Sequence, residues 1–342
     1  MTTAGEVLAL VGVVAALLAV GGLYQWIASR RRRRTVAPPG EFIDVGLHRL
    51  HAHCAGVGSP VVLLEAGIAA SSLSWSLVQP EIAKFARVCS YDRAGLAWSD
   101  AASCPRTFAQ IVGELARVLA SIAPHDQRIL VGHSFGSFVV RAYAERHPEN
   151  VVGLVLVDPP TEWLTMTPRR IHLLRRGRRL SRAGALLAHI GVVRASLALL
   201  TGGAPGAPRR FVSVLGPTAL RTLERLVGEV RKLPPDVHPI VQELWCQPKC
   251  FHAMADYLGV LEREGKAMAA LRPPPGIPVV VISSGNQPPE QIAEHRELAE
   301  RSAKARHVIA ARSTHWVQFD EPELVVNAVK EVVESVAPLS PP

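Results

Sequence analysis

Gly132-His133-Ser134-Phe135-Gly136 decides how the rest of this chain is read. Just before it, Arg128-Ile129-Leu130-Val131 is a short apolar, β-branched run of the kind that forms a buried strand. Just after it, Phe135 to His147 has helical character and stops at Pro148. A serine at a sharp strand-to-helix turn needs glycine on both sides, because the backbone is strained and neighbouring elements come close. The helix that follows directs its dipole and free N–H groups at the place where an oxyanion would form. The segment therefore predicts strand, strained turn and helix, with Ser134 as a nucleophile.

Outward from this turn, Val61–Glu65, Arg87–Tyr91, Val151–Val157, Ile277–Ser283 and His307–Ala310 read as further strands. Phe42–Val45 and Leu47–His53 suggest an opening hairpin. Helices are expected around Trp75–Phe85, Phe108–Ile122, Pro289–Ala305 and Pro322–Val336. This alternation predicts an α/β fold with a mostly parallel sheet covered on both faces. Between Pro160 and Pro275 the strand rhythm stops, and arginine-rich and leucine-rich stretches with Gly-Pro breaks take over.

Three more landmarks accompany the serine turn. Val61-Val62-Leu63-Leu64-Glu65-Ala66-Gly67-Ile68 precedes a Ser-x-x-Trp element at Ser72–Trp75. Ser90-Tyr91-Asp92-Arg93-Ala94-Gly95 follows the next strand, and Ser313-Thr314-His315-Trp316 precedes Glu321-Pro322. In this order and spacing the chain resembles the α/β-hydrolase superfamily, specifically serine hydrolases of the esterase and lipase kind, over roughly residues 41–336. The resemblance implies an α/β-hydrolase fold with a helical cap inserted between the sixth and seventh strands. With the N-terminal segment described below, it divides the chain into an anchor and basic flank (1–35), a first core part (36–159), a cap (160–275) and a second core part (276–342).

The chemistry follows from the residue types. A serine hydroxyl needs an adjacent base, and histidine accepts and returns a proton near neutral pH. His315 lies on the loop where the superfamily presents that base. The oxyanion donors implied by the resemblance are the backbone amides of Phe135 and Ile68. Glu65-Ala66-Gly67 departs from the usual His-Gly, a change that backbone donors tolerate. The acid is less obvious. The turn after the seventh strand, Gly285-Asn286-Gln287-Pro288-Pro289-Glu290, has no aspartate. Asp158, at the end of the sixth strand, and Glu290 are the two candidates, and Asp158 better meets the need for a carboxylate at a strand's carboxyl end. Asp92 and Arg93 read as a structural turn, and Trp75 and Trp98 as packing residues. Serine rather than aspartate at the turn excludes haloalkane dehalogenase and epoxide hydrolase chemistry of the kind that uses an elbow aspartate.

The expected function is cleavage of a carboxylic ester, with lipid-like or apolar acyl esters among the expected substrates, without cofactor or metal. The alternatives are an inactive binding protein on the same fold, favoured by the missing aspartate, and an acyltransferase, which differs only in its acceptor. The net charge of +9 sits in two clusters, Arg30–Arg34 and Arg169–Arg182, which point to anionic lipid rather than to nucleic acid. Val7–Ile27 is uncharged over 21 residues, rises about 31 Å as a helix, and is followed at once by arginines. It reads as a single-pass anchor with the domain on the cytoplasmic side. Five cysteines without framework spacing are expected to be free thiols in a reducing compartment.

Overall fold

The computed structural model describes residues 3–35, 37–201, 229–302 and 304–336. Its strands are β1 (Glu41–Asp44), β2 (Arg49–Ala55), β3 (Val61–Glu65), β4 (Val88–Tyr91), β5 (Arg128–His133), β6 (Val151–Val157), β7 (Pro278–Ser284) and β8 (Lys304–Ala310). They form one sheet in the order β1-β2-β4-β3-β5-β6-β7-β8. The opening hairpin is antiparallel to its neighbours, and from β4 to β8 every pair is parallel. Every residue of β3, β4, β5 and β7 is buried, as apolar runs covered on both faces require.

The helices are α1 (Thr3–Thr35), α2 (Gln79–Ile82), α3 (Phe108–Ile122), α4 (Phe135–Arg146), α5 (Pro168–His189), α6 (Val192–Thr201), α7 (His238–Trp245), α8 (Pro248–Ala270), α9 (Pro289–Glu300), α10 (Val317–Asp320) and α11 (Pro322–Val336). Two apolar layers flank the sheet. One joins Leu63, Leu130 and Leu154 to Leu115 of α3 and Phe138 of α4. The other joins Val62, Ile129 and Val155 to Val325 and Val329 of α11. Among the described residues the insertion between β6 and β7 is helical, with α5 packed along α8. Part of the expected cap, 202–228, and the C-terminal tail lie outside the described residues.

Three expectations need correction. The helix foreseen at Trp75–Phe85 is a 3₁₀ turn at Ser72–Trp75 followed by the short α2, because Pro80 starts a new turn and donates no backbone hydrogen bond. The apolar helix does not end at Ile27. It continues through the arginines, which favour helix, and stops ahead of Pro38-Pro39. The cysteines are not all free: Cys54 on β2 and Cys89 on β4 are disulfide-bonded, their Cα atoms 4.0 Å apart. Antiparallel pairing sets these two residues directly opposite each other, which a separation of 35 residues concealed.

Gly5–Arg31 contains an 18-residue stretch with a mean hydropathy of 2.5 and is long and apolar enough to cross a membrane. Its second half packs on the cap. A Cβ at Gly21 would come within 2.3 Å of the Ile190 carbonyl. The Gln25 amide donates to Cys246 O at 3.0 Å and accepts from Arg194 Nε at 2.8 Å. Arg194 also donates to Ser29 Oγ at 3.1 Å and is paired, nearly buried, with Glu243. A cavity of about 620 Å³ lies at this seam, between Tyr24, Ile27, Leu197 and Gln242.

Candidate active site

The turn at Ser134 is as sharp as its glycines require. Ser134 adopts φ 50° and ψ −121°, a region that L residues rarely occupy, and its amide donates to Val157 O at 2.9 Å. A Cβ on Gly132 would meet Ser137 Cα at 2.7 Å, and one on Gly136 would meet Glu65 O at 2.4 Å. The two glycines therefore let α4 pass against β5 and against the loop after β3. Phe135 opens α4, so its amide is one of those without an intrahelical acceptor. Among the described residues, neither the Phe135 nor the Ile68 amide donates to a protein acceptor.

Gly67 lies directly over the turn. A Cβ there would be 2.9 Å from His133 Nδ1 and 3.6 Å from Ser134 Cβ. The predicted oxyanion loop and the serine turn are thus neighbours, with Ile68 beside them.

His315 and Asp158 meet from separate strands' ends. His315 Nδ1 is 2.7 Å from Asp158 Oδ2, with the carboxylate fully buried and the imidazole about one-third exposed. Asp158 sits at φ 44°, immediately after β6. Its Oδ1 accepts from the Ser284 amide at 2.9 Å, and its Oδ2 from Gln287 Nε2 at 2.8 Å. Burial opposes ionisation of Asp158, but these bonds outweigh it and hold the carboxyl below its usual value. The turn after β7 has no aspartate; it supplies Ser284 and Gln287 as donors to a carboxylate one strand away. Glu290 is exposed in the first turn of α9 and makes no hydrogen bond or ion pair to His315 among the described residues.

His133, inside the serine turn, supports the loop of His315. Its Nε2 is 2.8 Å from the His315 carbonyl, and Gln318 Nε2 donates to its Nδ1 at 3.2 Å. These partners fix the proton on Nε2. Burial, and then the neighbouring His315, push the His133 pKa down to about 3, so the ring is neutral. The His133 and His315 rings lie 4.8 Å apart. No hydrogen bond joins Ser134 Oγ to His315 among the described residues. In a ligand-free site such contacts often tighten only when substrate binds.

Two residues read from the sequence as a structural turn hold this loop. Arg93, buried, donates to the carbonyls of Ala66 (2.7 Å) and Gly67, and pairs with Glu65. Asp92 accepts from the Ser72 amide at 2.8 Å and from His51, so that it holds the far end of the same loop. The available signal was the pair's position at the end of β4, next to β3 in the sheet.

The model of the alpha/beta hydrolase fold family matches residues 60–204. A probable transporter, efuK, of Hormonema carpetanum is 35% identical over 129 residues, which are 35% of this chain and 18% of that protein. An AB hydrolase superfamily protein of Gibberella zeae is 26% identical over 294 residues, covering 81% of this chain and 87% of its own. Among solved structures, a thermophilic esterase from Thermogutta terrifontis superposes with a TM-score of 0.58 at 19% identity, over 85% of this chain and 95% of the esterase. That likeness is one of fold, and folds of this kind host many chemistries. With eight strands in this order and a serine at the strained turn after β5, the chain has the α/β-hydrolase fold, and its residues 60–204 match that fold family's model.

Proposed function

We propose that the chain is a membrane-anchored serine hydrolase that cleaves carboxylic esters through an acyl-enzyme. The observation that carries this reading is the 2.7 Å pairing of His315 with a buried, ionised Asp158, beside a serine held at positive φ. In the proposed reaction Ser134 Oγ adds to the ester carbonyl while His315 Nε2 takes its proton. Asp158 keeps the His315 proton on Nδ1 and stabilises the imidazolium. The amides of Phe135 and Ile68 hold the oxyanion. Collapse breaks the ester C–O bond, and His315 returns the proton to the leaving alcohol. Water then repeats the sequence on the acyl-serine and releases the acid.

The inactive binding protein was favoured only by the missing aspartate after β7, and the carboxylate of Asp158 removes that support. The domain boundaries proposed with this function are 1–35, 36–159, 160–275 and 276–342. Lipid-like esters and the membrane itself are the proposed partners. In support, Leu173, Leu180 and Leu186 are exposed among the arginines of α5, whose C-terminal end packs on α1.

On sidedness, two observations oppose each other. Arginines directly after the span favour a cytoplasmic domain, whereas a disulfide favours an oxidising compartment. We place the domain in the cytoplasm, because flanking basic residues act when the helix inserts; in that compartment cellular reductants would open the Cys54–Cys89 bond to the dithiol.

A fluorophosphonate probe should label the full-length chain at Ser134, and p-nitrophenyl esters should be turned over. Both signals should vanish in Ser134→Ala without a change in melting temperature. Retained labelling or turnover in that variant would remove Ser134 from the mechanism.

A further inference from the structure

Arg93 is 2% exposed and carries no assigned role. Its guanidinium lies against the loop that leads into Ile68. Nη1 donates to Glu65 and to Ala66 O, Nη2 donates to Gly67 O, and the group stacks 5.2 Å from the Phe135 ring centroid and 5.1 Å from that of Tyr257. Tyr91 donates to the other oxygen of Glu65.

A trans peptide unit points its C=O and N–H in opposite directions. The carbonyl of Gly67 and the amide of Ile68 belong to one such unit. A guanidinium that holds the carbonyl on the buried side therefore turns the Ile68 amide toward the other side. The serine turn is next to this peptide, since a Cβ at Gly67 would be 3.6 Å from Ser134 Cβ. The same bond is charge-assisted in a dry site, where polarisation of a carbonyl strengthens the N–H at the other end of its peptide.

Building on Ser134 as nucleophile, we propose that Arg93 is a positioning residue for the oxyanion hole: it aims and polarises the Gly67–Ile68 peptide whose amide receives the developing charge. Glu65 acts as the counter-ion that lowers the cost of burying the guanidinium, while the two carbonyls set the direction of its fork. Backbone groups deliver the effect of the guanidinium to the substrate.

The test uses the full-length chain in detergent and compares Arg93→Lys, Arg93→Gln and Glu65→Gln with wild type. Turnover of p-nitrophenyl butyrate is divided by the end-point fraction of Ser134 that takes the fluorophosphonate probe, so that unfolded chains do not count. An ammonium cannot span the two carbonyls and Glu65 together, so Arg93→Lys should lower kcat roughly 10- to 100-fold with KM within about threefold of wild type. The affinity of an alkyl trifluoromethyl ketone, whose serine adduct carries an oxyanion, should fall by the same factor. Arg93→Gln should lose at least as much, and Glu65→Gln, which leaves the fork on the carbonyls, should lose much less. Arg128→Met is the control: Arg128 is also buried and bonded to a backbone carbonyl, that of Ala123, so its loss should lower melting temperature and leave kcat per labelled serine alone.

Wild-type kcat and ketone affinity in both Arg93 variants would overturn the proposal. So would an equal collapse of kcat in Glu65→Gln, or losses confined to the labelled fraction, because each marks the cluster as structural only. If wild type itself is not labelled at Ser134, the reading of the nucleophile falls and takes this proposal with it.

Discussion

At the scale of single residues, Asp158 is the most consequential side chain after Ser134. On the proposed mechanism, Asp158→Asn replaces an acceptor with an amide that favours the wrong tautomer of His315. The expected loss in kcat is up to about 10⁴-fold, with Glu290→Gln near wild type in the same ester assay. A pH effect on stability should accompany it. Hydrogen bonds hold the folded carboxyl below its unfolded value of about 3.9, so ionised Asp158 stabilises the fold above that pH. The contribution fades as pH falls through the lower, folded value. Wild type should therefore lose melting temperature between about pH 5 and pH 3 more steeply than Asp158→Asn, as followed by circular dichroism. Ser134, His315 and Asp158 were legible in the sequence because each closes a recognisable strand or loop. The contacts of His133 and Arg93 were not: they depend on which backbone carbonyl, 182 and 26–27 residues away, folding brings within reach.

Among the elements, α4 shows how little room the serine turn has. Gly136→Ala would drive a methyl into the backbone carbonyls of Glu65 and Ala66, which cannot swing away as a side-chain end can. It should destabilise by about 1–3 kcal/mol and lower the melting temperature by several degrees. The strands were readable because a sheet covered on both faces demands continuous apolar runs. Their pairing was not, and with it the opposition of Cys54 to Cys89, since register between β2 and β4 is a tertiary property. The extension of α1 beyond Ile27 was missed for a different reason. Hydropathy marks where a helix stops being apolar, and arginines continue the helix without continuing that signal. In the cap, Arg194→Met would leave Glu243 buried without its partner. Breaking a buried pair in this way costs about 3–5 kcal/mol, and Arg194→Met with Glu243→Leu should recover much of it in thermal unfolding of the detergent-solubilised chain.

For the whole molecule, the proposed role of α1 as an anchor, and its orientation, are open to a direct measurement. A C-terminal fusion to a reporter active only in the cytoplasm should be active, and Cys54 and Cys89 should then be alkylated in intact cells once the thiol reagent has entered. A protected, oxidised pair together with a silent reporter would put the domain on the opposite side. The fold class and the order of the four landmarks were visible at this scale from the sequence, because they follow the chain from end to end. The attachment of the anchor to the cap was not, since Gln25 reads as a single polar interruption in an apolar run. Its amide and Ser29 nonetheless complete the hydrogen bonding of a cap arginine, and Tyr24 and Ile27 wall a cavity. This bears on how the protein is prepared. Cutting the chain ahead of residue 36 to obtain a freely soluble form would strip two partners from Arg194 and remove the wall that Tyr24 and Ile27 give that cavity. Kinetics measured on such a fragment would describe a domain whose α6 has lost its neighbours on α1, and the intact chain in a bilayer mimic is the proper object of study.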